Sequence, residues 1–156
     1  VIHRKARMRA VIQRVKKSSV SVDGQSVGEI GAGILALIAV GPGDSDREVL
    51  YMAEKIVHLR IFADETGKMN RSLLDTGGEM LIISQFTLYG DCRRGRRPSF
   101  TGAAAPGLAK DLILKFIRAV EGYGVPAAAG EFGAMMEVEL INDGPVTLIL
   151  DTREAL

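Results

Sequence analysis

The chain has no tryptophan, one cysteine and two histidines, and each shortage removes a class of chemistry. With aromatics at only 5% of residues, the core has to be aliphatic, built from Val, Ile, Leu, Ala and Met. Cys92 alone makes no intrachain disulfide and no Cys-rich zinc site. His3 lies in a basic N-terminal stretch, and His58 falls on the polar side of a predicted helix, so a Ser-His-Asp triad has little support. H-E-x-x-H, C-x-x-C and P-loop patterns are missing, which removes support for zinc hydrolysis and nucleotide hydrolysis. GEIGAG (Gly28 to Gly33) lacks the G-x-G-x-x-G spacing and reads as a hairpin corner.

Long apolar runs are missing too. The longest, Ile34 to Val40, is far too short to span a bilayer, and no apolar segment follows the basic N-terminus as a signal peptide would require. These features favour a cytoplasmic protein. Charge of one sign is also missing, at a formal net of +1. Arg4, Lys5 and Arg7 contribute three positive charges with no acid among them, so from Met8 onward the chain is net acidic. The body is therefore not a basic nucleic-acid-binding surface, and any RNA contact has to be local. The natural start is expected at Met8, with residues 1–7 a leader or a disordered arm and residues 8–152 forming one domain.

What is present suits one soluble globular domain: 156 residues, 47% hydrophobic and 25% charged. Strand-like patterns occur at Met8 to Val15, Ser18 to Val22, Ser26 to Ile30 and Ile34 to Val40. Asp23-Gly24 is a hairpin turn signal. Ser45 and Glu48 form a capping-box pattern for a helix from about Asp46 to Leu59. Its apolar half carries Val49, Leu50, Met52, Ala53, Ile56, Val57 and Leu59. Further strands are predicted at Arg60 to Ala63 and Met80 to Phe86. A basic loop runs from Tyr89 to Pro98, and a second helix from Pro106 to Glu121. Strand candidates Ala127 to Phe132, Met136 to Ile141 and Val146 to Leu150 follow, with Asp143-Gly144 as the last turn. The fold class is α/β: a single domain with a mixed, barrel-like sheet and two packed helices.

Two polar segments interrupt apolar strands. Ser84, Gln85 and Thr87 close the strand from Met80, and this fits either a satisfied strand edge or a set of exposed donors. Gly144-Pro145 follows a turn and precedes a strand. It fits a simple turn or a specialised backbone, because Pro fixes φ and Gly permits unusual angles.

Taken together with other pieces, these segments make the chain resemble the D-aminoacyl-tRNA deacylases, also called D-tyrosyl-tRNA deacylases. The matching pieces are MRAVIQRV (Met8 to Val15), GEIGAGIL (Gly28 to Leu35), RIFADETGKMN (Arg60 to Asn70), SQFTL (Ser84 to Leu88), RRPSF (Arg96 to Phe100), GEFGAMM (Gly130 to Met136) and NDGPVT (Asn142 to Thr147). Met135 departs from the family, where an acidic residue often precedes the Met.

The resemblance implies a homodimer acting on the aminoacyl-adenosine end of tRNA, with no cofactor, no metal and no membrane. Ser84, Gln85, Phe86 and Thr87 would form the catalytic segment, with the N–H groups of Phe86 and Thr87 holding the ester. Gly144 and Pro145 of the other subunit would enter as a cis pair held by Arg14. Their carbonyl oxygens would exclude L side chains while admitting D-amino acids or glycine. Phe86, Phe132 and Met136 would shape the substrate pocket. No base is evident to activate Thr87, so the 2′-OH of the terminal ribose is expected to assist water. Arg93, Arg94, Arg96 and Arg97 could follow tRNA phosphates. Two other classes compete: a noncatalytic RNA-binding module using this loop, and a general esterase.

Overall fold

Alternation of apolar residues along the strands builds two cores rather than one. The computed structural model describes residues 7–154. Six of the seven residues of the expected leader lie outside that range. Arg7 is tied to the body through its N–H to Asp44 and its side chain to Asp151.

Strand β1 (Arg9–Val22) runs unbroken through the two strands expected from the sequence. It turns at Asp23-Gly24, both with positive φ, into β2 (Gln25–Ile30). Next come β3 (Gly33–Ala39) and helix α1 (Asp46–His58). A small hairpin follows, β4 (Phe62–Ala63) with β5 (Met69–Arg71), and then a one-turn helix α2 (Leu73–Thr76). Strand β6 (Glu79–Ser84) ends in a 3-10 turn, Phe86–Tyr89. Helix α3 (Pro106–Gly122), β7 (Ala127–Ala129) and β8 (Met136–Asp151) complete the chain.

The six-stranded sheet has the order β2-β1-β3-β6-β7, with β8 on the other side of β1. β1 is antiparallel to β2, β3 and β8, whereas β3, β6 and β7 are parallel to one another. The sheet curls so that β2 approaches β7. Any side chain at Gly28 would bring its Cβ within 2.8 Å of the Ala129 carbonyl oxygen, so glycine permits the closure.

Ile34, Ala36 and Ile38 of β3 and Met80 and Ile82 of β6 face α1 and α3. The intervening Leu35, Leu81 and Ile83 face the inside of the curled sheet with Val15 and Val20. Helix α1 begins with the expected capping box, Ser45 N–H donating to Glu48 at 2.8 Å. Its buried stripe is Val49, Met52, Ala53, Ile56 and Val57. Leu50, expected on that stripe, is exposed. Helix α3 starts with Pro106 at its first position, where the missing N–H costs nothing, and buries Leu112, Phe116 and Val120. No helix among the described residues is long and apolar enough to cross a membrane.

Two further sequence expectations change. Asp143-Gly144 is not a turn between two strands, because β8 continues through it as a bulge. The Gly144–Pro145 bond is trans, not cis, since there is no cis peptide among the described residues. Trans is the lower-energy isomer of an X–Pro bond by about 0.5–1 kcal/mol, and the trans bond is compatible with β8 rejoining β1 at Thr147.

Asp44 supplies a pH-dependent term. Its buried carboxylate accepts the N–H groups of Arg7 and Gly41, each at 2.6 Å. Burial pushes its pKa up to about 6, and the charges of Glu48 and Asp151 add to the effect. Because the folded pKa exceeds the unfolded one, this group's contribution is fully present below about pH 4. It is lost as pH rises through 6. Asp44→Asn should therefore flatten the pH dependence of stability between 4 and 6, measured by denaturant unfolding at successive pH values. An unchanged profile would mean that Asp44 ionises freely in the fold.

Candidate active site

The last rung of β6 sets up the first half of the site. Gln85 N–H donates to the Ile38 carbonyl at 2.8 Å, and the chain then coils into the 3-10 turn. The opening N–H groups of such a turn have no partner within it. Gln85, at the cap position, supplies no side-chain bond to them. The N–H groups of Phe86 and Thr87 are left as adjacent donors at the surface, suited to an oxygen that gains negative charge.

The turn is held from behind. Arg9 donates to the Leu88 carbonyl at 2.9 Å, Gly90 N–H to the Thr87 carbonyl at 2.9 Å, and the buried Tyr89 hydroxyl to the Arg7 carbonyl. Burial drives the Tyr89 hydroxyl far above its usual pKa, so it stays a donor. Phe86 is 55% exposed and meets Phe100 edge-to-face at 5.5 Å. Thr87 is exposed, and its hydroxyl accepts from the Gln85 amide. An amide is no base, so nothing in this cluster activates Thr87 as a nucleophile. His58 lies at the end of α1, bonded to the Glu54 carbonyl and edge-on to Tyr123.

The second half is the bulge in β8. Gln13 pairs with Thr147 and Val15 with Asn142, so two steps along β1 match five along β8. The surplus residues loop out at the strand's edge. Asn142 closes the loop by accepting Val146 N–H at 3.0 Å and donating to Thr147 Oγ1 at 3.0 Å. Arg14 braces it, donating to the Asp143 carbonyl at 3.1 Å and to the Ile61 carbonyl at 2.5 Å, with the Asp143 carboxylate 3.6 Å away. Gly144 adopts φ +110, and a Cβ there would overlap the Arg14 guanidinium. Gly144 and Pro145 are exposed.

The fold thus brings Ser84, Gln85, Phe86 and Thr87 together, and separately Arg14, Gly144 and Pro145. It does not bring the two groups together. Ser84 is in register with Ile38 and thence with Ala10, whereas Asn142 is in register with Val15. Five residues of strand are about 16 Å, and β8 lies three strand spacings, about 14 Å, from β6.

Phe132 and Met136 are half-buried. Phe132 packs against the core beneath the helices, and Met136 packs inside the curled sheet. Both follow β7, which leaves the sheet at the same end as β6. Met135 is 90% exposed. Of the loop arginines, Arg93 is locked to Asp91 by two bonds, at 2.8 and 2.9 Å. Phe100, Asn142, Ile61 and Arg9 are positioning residues that sequence reasoning did not single out. All four lay within quoted motifs, but their contacts depend on the fold.

Adjacent N–H groups at the surface beside a hydroxyl suit an oxygen that gains negative charge. Comparison with known proteins narrows this. Residues 11–151 match the family model described as D-Tyr-tRNA(Tyr) deacylase. A D-aminoacyl-tRNA deacylase of Fervidobacterium nodosum is 62% identical over 147 residues, 94% of this chain and 99% of that protein. One from Thermosipho africanus is 57% identical over the same shares. The solved structure of a c-Myc DNA unwinding element binding protein superposes with a TM-score of 0.85 at 37% identity, covering 91% of this chain and 97% of that one. A probable eukaryotic D-amino acid tRNA deacylase shares the fold, with a TM-score of 0.81 at 20% identity over 93% of this chain and 99% of that one. The chain belongs to the D-aminoacyl-tRNA deacylase family.

Proposed function

We propose that this protein hydrolyses the ester of D-aminoacyl-tRNA in the cytoplasm, releasing the amino acid and free tRNA, and rejects L-aminoacyl-tRNA with backbone from a second copy. The observation that carries the reading is the separation of the two segments within one chain. They can meet only if the Gly144-Pro145 bulge of one subunit reaches the Phe86–Thr87 turn of another. The bulge stands on β8, a 16-residue strand that among the described residues is paired on one side only. Ile141 and Ile149 on that strand are 46% and 72% exposed. A long, open, apolar-rich edge strand favours pairing with another chain, which supports a homodimer.

In the shared pocket the ester carbonyl accepts from the N–H groups of Phe86 and Thr87. The tetrahedral oxyanion that forms when water attacks is stabilised there. The bulge's carbonyl oxygens face the α-carbon and leave room for hydrogen on the side an L side chain would occupy. Glycine passes the same test, so glycyl-tRNA is a substrate. With no base beside the turn among the described residues, the 2′-OH relays the proton: it accepts one from the attacking water and gives its own to the departing 3′-oxygen as the ester C–O bond breaks. Thr87 orients the substrate. Thr87→Ala should therefore keep kcat within about tenfold of wild type, below the loss expected for a missing oxyanion donor. A trapped Thr87 ester would contradict this.

The reading is tested with matched D- and L-aminoacyl-tRNA: release from the D form only supports it, and equal release from both sinks it. A noncatalytic nucleic-acid-binding role draws its support from one structural relative, the DNA unwinding element binding protein. Binding without release would identify that role.

A further inference from the structure

A groove of about 660 Å³ opens beside the ester-holding turn, lined by Tyr89 and Gly90 and by four arginines, Arg7, Arg9, Arg93 and Arg153. We propose that it binds the phosphodiesters of the single strand that leads to the tRNA's terminal adenosine. The proposal rests on the aminoacyl-tRNA reading above.

Arg9 both lines the groove and holds the Leu88 carbonyl of the turn. A strand whose last nucleotide sits at Phe86 and Thr87 can therefore leave through the groove. The charge there suits such a strand. Among the described residues four guanidinium groups stand against three carboxylates, Asp91, Asp151 and the Asp44 that accepts Arg7 N–H, leaving a positive surplus in a chain that carries only +1 overall.

The arginines are also preorganised. Asp151, whose side chain is 8% exposed, holds Arg7 and Arg9 at 3.0 and 3.5 Å. Asp91 grips two N–H groups of Arg93 and leaves three of its five for a ligand. Arg153 is exposed, with its backbone fixed by the Asp151 carboxylate at 2.9 Å. Fixed, forked cations with spare donors suit phosphate oxygens. Arg94, Arg96 and Arg97 extend the basic surface from the same loop, and none forms an ion pair among the described residues.

The test compares wild type with an Arg93→Gln/Arg153→Gln double variant on two substrates, D-aminoacyl-tRNA and the 3′-D-aminoacyl ester of adenosine, which lacks the upstream phosphates. On the tRNA, kcat/KM should fall on the order of tenfold at 0.1 M salt. The slope of log(kcat/KM) against log[salt] should become shallower by about 1.4, two single-strand phosphate contacts at about 0.7 each. Turnover of the adenosine ester should stay within about twofold, which also shows that the variant is folded. Equal losses on both substrates, or an unchanged salt slope, would overturn the groove and leave the deacylase reading standing. If wild type cleaves neither substrate, both proposals fall.

Discussion

Phe86→Pro should lower kcat on D-aminoacyl-tRNA by about 10²–10³-fold, the cost of one oxyanion donor, with little loss of stability. Phe86 opens the 3-10 turn, and its N–H has no partner within the turn. Proline is tolerated at that first position, where the donor it deletes makes no structural bond. Gln85, the residue before it, has φ −137 and ψ 72, outside the helical region that a following proline disfavours. The substitution therefore removes the proposed oxyanion donor and spares the backbone. It also removes an aromatic ring that meets Phe100. Phe86→Ala controls for that loss and should retain most of kcat while raising KM. If the proline and alanine variants behave alike, the N–H is not an oxyanion donor.

Gly144→Val should reduce hydrolysis of D-aminoacyl-tRNA by at least about 100-fold, because a displacement of about 1 Å in a positioning element is enough for that. At φ +110 the residue lies where L side chains rarely go. Any Cβ also meets the Arg14 guanidinium. Arg14 must then release the Asp143 or Ile61 carbonyl, and the bulge shifts. Fold stability should drop only by about 1–3 kcal/mol, the usual scale of local backbone strain, since Gly144 and Pro145 are exposed at an edge. Arg14→Lys removes the fork that spans two carbonyls and should weaken the preference for D over L by about tenfold, or roughly 1.4 kcal/mol. The value of kcat/KM on D-aminoacyl-tRNA reads the first effect, and its ratio to the value on L-aminoacyl-tRNA reads the second. Wild-type rate and selectivity in Gly144→Val would reduce the bulge to a harmless irregularity.

The parts of the fold legible in the sequence were those with a strong period or local chemistry. Continuous apolar runs mark β3 and β6, the Ser45–Glu48 box starts α1, and Asp23-Gly24 turns β1 into β2. The bulge was not legible. Asp-Gly normally reads as a turn, and only Arg14, more than a hundred residues away, and the Asn142 clamp convert it into an interruption within one strand. Of the β4–β5 hairpin the first strand was expected, at Arg60 to Ala63, whereas β5 was missed because three residues are too short to show a period. Asp64 organises the hairpin by accepting from Thr66, Lys68 and Asn70, which also holds its carboxyl far below the usual range. The motifs SQFTL and NDGPVT were visible from the start. That they lie apart in one chain could come only from the strand register.

That separation is the centre of the account, and subunit mixing tests it directly. Phe86→Pro and Gly144→Val chains, each inactive alone, are unfolded together, refolded and assayed on D-aminoacyl-tRNA. A site shared across subunits predicts that each heterodimer regains one native site, joining the intact turn of one chain to the intact bulge of the other. If heterodimers form and activity stays at the level of the separate variants, both segments act within one chain and the account is wrong.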